Sequence, residues 1–283
     1  MQEIIMSIEL GLIFSIVAVG IYLTFKTINF ADMTCDGSFV LGAAVSSVYI
    51  KMGASPFIAT FLALVFGGLA GLATGILNVK FKIKDLMCGI IVAFILYSIN
   101  LRIMNAPNIT FIEEVTIFSG RNTLTSVIII VFVLNLALIL ILFSVFGLRL
   151  RAIGYNKQFA AISGINVKLM TIIGLMLSNA MIALGGSLFS QYQGFCDVSQ
   201  GFGTLVIGLA SVVIGEKMFA FKKEPLIILS CIFGSILYRI FMNIALHSDS
   251  IGIKTQDLNL ITGLMIIAVM IVKKGGNNAL ATQ

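Results

Sequence analysis

The segment 28-INFADMTCDGSFVLGAA-44 sets Asn29, Asp32 and Asp36 between two apolar runs, with Gly37 and Gly42 close behind. An ionised carboxylate is costly in hydrocarbon, so these side chains have to face protein, water or the membrane interface. One reading is a broken helix, with freed backbone groups and the carboxylates lining a cavity. The other is helix capping: an aspartate accepts backbone N–H bonds at the start of the second span, where negative charge also suits the helix dipole. The sequence favours the cap for Asp36, because Gly37-Ser38 and the apolar run follow it directly, and leaves Asp32 open between the two.

Working outward, the composition fixes the class. Of 283 residues 59% are apolar and only 11% charged, with a mean hydropathy of +1.10, far from the balance of a water-soluble domain. A helix crosses the hydrocarbon core with about 20 apolar residues. Continuous runs of that length recur to the end of the chain, without the alternation of a transmembrane β-barrel. The fold class is therefore all-α: a polytopic membrane protein with about nine transmembrane helices (about eight to ten), some short or broken. The first run carries Glu3 and Glu9, lacks a basic leader and has no small-x-small site before Phe25, so it reads as a span and not as a signal peptide.

The apolar runs fall at roughly 4–25, 30–50, 56–78, 86–104, 124–146, 169–190, 202–216, 225–246 and 258–272. Basic residues cluster in alternate loops: Lys80, Lys82 and Lys84; Arg149, Arg151, Lys157 and Lys168; Lys217, Lys222 and Lys223; Lys273 and Lys274. An even number of spans separates each cluster from the next, which makes that side cytoplasmic and puts the C-terminus there as well. Glu113, Glu114, Asp197 and Asp249 fall on the opposite side, and counting back puts the N-terminus with them. The net charge of +6 is thus an orienting charge in contact with lipid headgroups, not a nucleic-acid footprint. The outer loop 105-NAPNITFIEEVTIFSGRNT-123 reads as a short helix or hairpin lying on the surface.

The two halves echo each other. The stretch 30-FADMTCDGSFVLGAA-44 resembles 195-FCDVSQGFGTLVIGLA-210, and 83-IKDLMCGIIVA-93 resembles 255-TQDLNLITGLMIIA-268. Matching spans one to four with six to nine shifts the second copy by five spans, so it inserts upside down. Inverted repeats with short or glycine-interrupted helices at matching positions mark a transport path at the repeat interface. Residues 1–283 then form a single transmembrane domain with repeats 1–119 and 168–272, linked by span five and the cytoplasmic loop 147–168. The path candidates are Asn29, Phe30, Asp32, Asp36, Gly37, Asn100, Asn179, Asp197 and Gly201. Asn135 and Asn179, mid-span, fit interhelical hydrogen bonding, and 180-AMIALGGSLFS-190 fits close helix packing. Arg102 reads as a side chain snorkelling to the interface.

Catalytic and metal chemistry find no support. Cys35, Cys88, Cys196 and Cys231 lie far apart, His247 stands alone, and the chain has no phosphate-binding G-x-x-x-x-G-K-[ST] loop. The cytoplasmic loop carries more information. In 149-RLRAIGYNKQFAAISGINV-167 the residues Ala152–Ser163 read as one short helix, with Gly164 as its C-cap and Asn166 beyond. Such a helix between spans serves to dock into a groove of another protein.

These motifs resemble the permease subunits of ABC importers of the branched-chain amino acid and ribose permease superfamily. The first likeness is 28-INFADM-33 followed by 37-GSFVLGAA-44. The second is the loop pattern made by Arg151, Ala152, Gly154, Asn156, Ala160, Ala161, Gly164, Ile165 and Asn166, with Tyr155 inside it. The likeness spans roughly residues 8–272, and 97-YSINLRIMNAPN-108 is similar to the tryptophan/tyrosine permease branch. At Asp32-Met33 the chain departs from the branched-chain members, which carry a histidine-glycine pair, so the resemblance leaves the substrate open. It implies a homodimeric permease in a bacterial cytoplasmic membrane. Cytoplasmic ABC ATPases would dock on the loop, and an extracytoplasmic binding protein would deliver a small solute. ATP and Mg would be held by the ATPase, with no cofactor in this chain. The rival is an ion-coupled secondary transporter, which needs titratable groups at mid-membrane, and the sequence sets Asp32 and Asp36 near a span end.

Overall fold

The computed structural model describes residues 2–120, 122–218, 224–246, 260–264 and 267. It is a helical bundle. Helix α1 (Gln2–Tyr22) runs into a π-helical turn (Leu23–Ile28), and α2 (Thr34–Lys51) begins after a five-residue break. Then follow α3 (Pro56–Val79), α4 (Asp85–Met104), a short strand β1 (Asn108–Thr110) and α5 (Thr123–Phe143). Two short helices, α6 (Val145–Tyr155) and α7 (Lys157–Ile162), lead to the long α8 (Val167–Gln193). Strand β2 (Phe195–Asp197), a 3₁₀ turn (Val198–Gly201), α9 (Thr204–Met218) and α10 (Glu224–Leu246) complete the order.

Seven helical segments among the described residues are long and apolar enough to cross a membrane, and α2 is an eighth, 18-residue helix packed among them. The first eight expected spans are each found. The ninth, at 258–272, lies mostly outside the described residues, as do Lys222, Lys223, His247, Asp249, Asp257, Lys273 and Lys274. Local chemistry sets several boundaries. Ser55 precedes Pro56, whose fixed φ starts α3 and whose missing N–H costs nothing there. Gly194 ends α8 at φ +75, its N–H bonded to the Ser190 carbonyl.

The core forms where α8 packs against α1, α2 and α3, with α10 closing on α1. Phe14, Phe39 and Phe189, one from each of α1, α2 and α8, meet with ring centroids 5.2–5.7 Å apart. The small residues at 180–190 pack as expected: Gly186 lies under the Phe39 carbonyl, where a Cβ would collide. Helices α3 and α8 run antiparallel, with Gly75 against Ile172 and Gly67 against Ala180. The loop 80–84 therefore sits at the same end as the start of α8. Lys26 before the break and Glu216 at the close of α9 pair at 2.9 Å, and α6 packs on the π turn. The described basic clusters thus share one end of the bundle.

The expectation of a helix or self-contained hairpin at 105–123 is corrected. Strand β1 pairs antiparallel with β2, Asn108 opposite Asp197 and Thr110 opposite Phe195, so the loop after α4 is bonded to the loop after α8. The single helix expected at Ala152–Ser163 is also two. Asn156 is extended (φ −158, ψ 106) and its Oδ1 accepts from the N–H groups of Gln158 and Phe159, which caps α7 and separates it from α6. Helix α5 stops at Phe143, Ser144 is extended, and Arg149 and Arg151 lie in α6.

Candidate functional site

The break after α1 organises the site. The π turn ends at Asn29, which is left-handed at φ 55, and the Thr24 carbonyl accepts from the N–H of both Asn29 and Phe30. Single π turns within helices recur at functional sites. Five residues later, at Thr34, the chain re-enters a helix, and here the two aspartates part ways.

Asp32 is fully buried at 0% exposure. Its Oδ1 accepts from the Thr34 N–H at 2.8 Å, and its Oδ2 accepts from Asn179 Nδ2 at 2.7 Å. Asn179 in turn accepts from the Ser38 hydroxyl at 2.7 Å and donates to the Leu175 carbonyl, while the Thr34 and Thr74 hydroxyls share a hydrogen bond at 2.7 Å. Asn179 is the thirteenth of the 27 residues of α8, so Asp32 lies inside the bundle and not at a span end. Every polar group of this knot has a partner, which is the condition for keeping such groups out of water.

Asp36 does not cap its own helix. Its Oδ1 accepts from the N–H of Leu205 at 2.9 Å, in the first turn of α9. The expected roles are therefore exchanged: Asp32 satisfies the start of α2, and Asp36 crosses to another helix. Asp36 is the third residue of α2, and the N–H groups a turn ahead of it belong to the helix's own i to i−4 bonds, so its carboxylate is left to serve the open first turn of α9. Gly201, just before α9, lies against the Asp36 carbonyl with no room for a Cβ. On the far side Asp197 Oδ1 accepts from the Ser199 N–H at 2.7 Å, the same two-residue turn that Asp32 makes with Thr34.

Between α2, α4 and the 3₁₀ turn lies a cavity of about 330 Å³. Of the path candidates, Asp36, Gly37, Asn100 and Gly201 line it, with the aromatic rings of Phe94, Tyr97 and Phe202. Asn100 is 1% exposed; its Nδ2 donates to the Gly37 carbonyl at 3.3 Å, and its Oδ1 has no hydrogen-bond partner among the described residues. The remaining candidates fall elsewhere: Asp32 and Asn179 in the closed knot, Asp197 in its turn, Phe30 in a core cluster. Asn29 lines a separate hollow with Lys26, Arg151, Tyr155 and Glu216.

That hollow adjoins the α6–α7 loop. Ile28 and Phe30 pack with Leu150, Ile153, Ala160 and Leu175 in one buried cluster. Gly154 lies so close to the Thr27 carbonyl that a Cβ would collide with it. Arg151 donates back to the Leu142 and Gly147 carbonyls at 3.3 Å, tying α6 to the end of α5. Gly164 takes the expected left-handed role at φ +79: the N–H of Ile165 bonds the Ala160 carbonyl and that of Gly164 bonds the Ala161 carbonyl. Asn166 caps α8 through Leu169. The opposite face of the loop presents Tyr155, Phe159 and Ile162, which are 80%, 66% and 86% exposed.

Read as one helix over 152–163, the loop carries Ala, Phe and Ile on one side; the structure separates them, burying Ala160 and exposing Phe159 and Ile162. Arg239 of α10 has no place in the sequence reading. Its guanidinium carbon stands 3.9 Å from the Phe14 ring centroid, and the only available signal was a charge inside an apolar run. Among the described residues no group of three or more His, Cys, Asp or Glu stands together to hold a metal. Burial, reinforced by neighbouring Asp197, pushes the Cys196 thiol up to about 12, so it is inert at neutral pH.

A family model described as the permease component of branched-chain amino acid transport systems matches residues 4–272. The chain is 42% identical to the tyrosine transport system permease protein of Clostridioides difficile over 274 residues, 95% of this chain and 91% of that one. It is 23% identical to the ribose import permease of Escherichia coli over 91% of this chain and 81% of that protein. A solved ABC transporter assigned to the metal-chelate type, in an inward-facing conformation, superposes at a TM-score of 0.50 and 14% identity, covering 96% of this chain and 86% of that one. That last likeness concerns the fold.

Proposed function

The chain belongs to the family of branched-chain amino acid transport permease components, and from that premise we propose that it is the membrane subunit of an ATP-driven importer of a small amino acid-like solute. As in the tyrosine permease relative, an amino acid is the solute class favoured here. Two copies would frame the path, two cytoplasmic ATPases would dock on the α6–α7 loops, and a binding protein outside would deliver the solute. In this proposal ATP and Mg belong to the ATPase, and the chain itself performs no covalent chemistry. The membrane is the bacterial cytoplasmic membrane, with α6 and α7 inside, in line with the shared end of the basic clusters.

One observation carries the reading: the α6–α7 loop is two-faced. Its inner face, Leu150, Ile153 and Ala160, is packed on Ile28, the last residue before the break, and on Phe30 within it, on the way to Asp32 and Asp36. Its outer face offers Tyr155, Phe159 and Ile162 to a partner. A push on the outer face is passed by close-packed side chains to the start of α2. The matching Asx turns at Asp32 and Asp197 support the inverted repeats of 1–119 and 168–272, whose short helices α2 and α9 then meet head to head at the cavity. An ion-coupled carrier would use the buried Asp32, but the carboxylate has both oxygens engaged.

The docking face gives the test. Substituting Gly154 or Ala160 would disturb the packing on Thr27 and Phe30, so the informative pair is Phe159→Asp with Ile162→Asp. Each buried apolar side chain at a partner interface contributes about 1.5–3 kcal/mol, so the pair should lower ATPase co-purification at least about tenfold. The detergent-solubilised permease should keep its elution volume. Retention of the ATPase at the native level by this folded double variant would sink the docking assignment.

A further inference from the structure

The side-chain polar groups of the cavity beside Asp36 are the Asp36 carboxylate, the Asn100 amide and the Tyr97 hydroxyl, and among the described residues no lysine, arginine or histidine lines it. Asn100 is the sharper signal. Its Oδ1 is buried without a partner among the described residues, and leaving such an acceptor unmet costs about 1–3 kcal/mol unless something else satisfies it. The rest of the wall is apolar and aromatic, with the Tyr97 and Phe202 rings 6.5 Å apart and tilted by 34°. Aromatic faces attract cations, and a carboxylate next to them strengthens that preference. The volume, about 330 Å³, lies at the small end of ligand cavities, which run from about 300 to 1,000 Å³.

From this we infer that the cavity is a transit site for the ammonium end of an aromatic amino acid, with Asp36 and Asn100 accepting its N–H groups and Tyr97 and Phe202 holding its ring. The inference rests on the importer reading and specifies its substrate class. Its distinguishing feature is that the site offers a carboxylate and aromatic faces to the ammonium and the ring and, among the described residues, no basic side chain to the carboxylate. An aromatic amine should therefore occupy it as well as the amino acid does, and an aromatic acid without nitrogen should not. Asp36 spends one oxygen on the Leu205 N–H, so an asparagine there keeps an acceptor for α9 and loses the charge.

Cys35, Cys88, Cys196 and Cys231 are all buried, so a thiol placed in the wall can be followed alone. The permease–ATPase complex in nanodiscs carries Ala93→Cys, a small substitution in the wall at a position with no part in holding the ligand, and maleimide labelling is timed with tyrosine, tyramine or 3-(4-hydroxyphenyl)propionate present. Tyrosine and tyramine should each slow labelling at least about threefold, the propionate should leave it unchanged, and Asp36→Asn in the same background should abolish the protection. Ile90→Cys, in the same wall, serves if Ala93→Cys fails to assemble. Equal protection by the propionate, protection surviving Asp36→Asn, or no protection by either amine would each overturn the assignment. The last includes the case where a lipid chain fills the cavity and no ligand alters labelling. ATP-driven tyrosine uptake by the native complex with its binding protein is measured alongside. Uptake without protection overturns the cavity alone, and protection without uptake overturns the importer reading alone.

Discussion

Asp32 and Asp36 stand one helical turn apart, yet they occupy opposite kinds of surroundings. Asp32 is sealed: Thr34 takes one oxygen, Asn179 the other, and neighbouring hydroxyls complete the knot. Asp36 reaches across to Leu205 of α9 and stands on the wall of a cavity. A buried polar group with complete partners is scaffold, since nothing is left for a ligand to satisfy. A polar group with an open side next to an orphaned acceptor is where a ligand gains most. Proximity in sequence therefore says little about shared purpose.

Substitutions can break that contrast, and the largest effect belongs to the sealed side. Asp32→Leu orphans the Thr34 N–H and one Asn179 N–H, at about 1–3 kcal/mol each, and should sharply lower the thermal midpoint of the purified complex. A midpoint within experimental error of the native one would show that the knot is not closed. Asp36→Ala removes a single cap from α9 and should cost about 1 kcal/mol in the same assay. A cost equal to that of Asp32→Leu would erase the distinction between the two sites. Asn100→Leu should be the smallest, neutral or stabilising by up to about 1 kcal/mol, because it deletes an unmet acceptor. A marked destabilisation there would mean that Asn100 is structural.

Much of this was legible beforehand. The apolar runs located eight helices, and the polar cluster at 28–37 marked a break, because period and composition are local properties. The partners were not local. Asp36 bonds a donor 169 residues away, and Asn100 meets Gly37 across 63 residues, so no window of sequence contains either pair. The asparagine at 156 was the missed local signal: an N-cap residue inside a helical pattern, read through as helix because the alanines after it favour one. The outer loop was misjudged for the opposite reason, since a three-residue strand is fixed by its partner and not by its own propensity.

That small sheet also governs how the molecule can move. Three paired residues fasten the exit of α4 to the exit of α8 at the end remote from α6 and α7. In the proposed importer, a stroke delivered through Phe30 would act on a lever with one clamped end, and the larger displacement would fall at the cavity rim away from the strands.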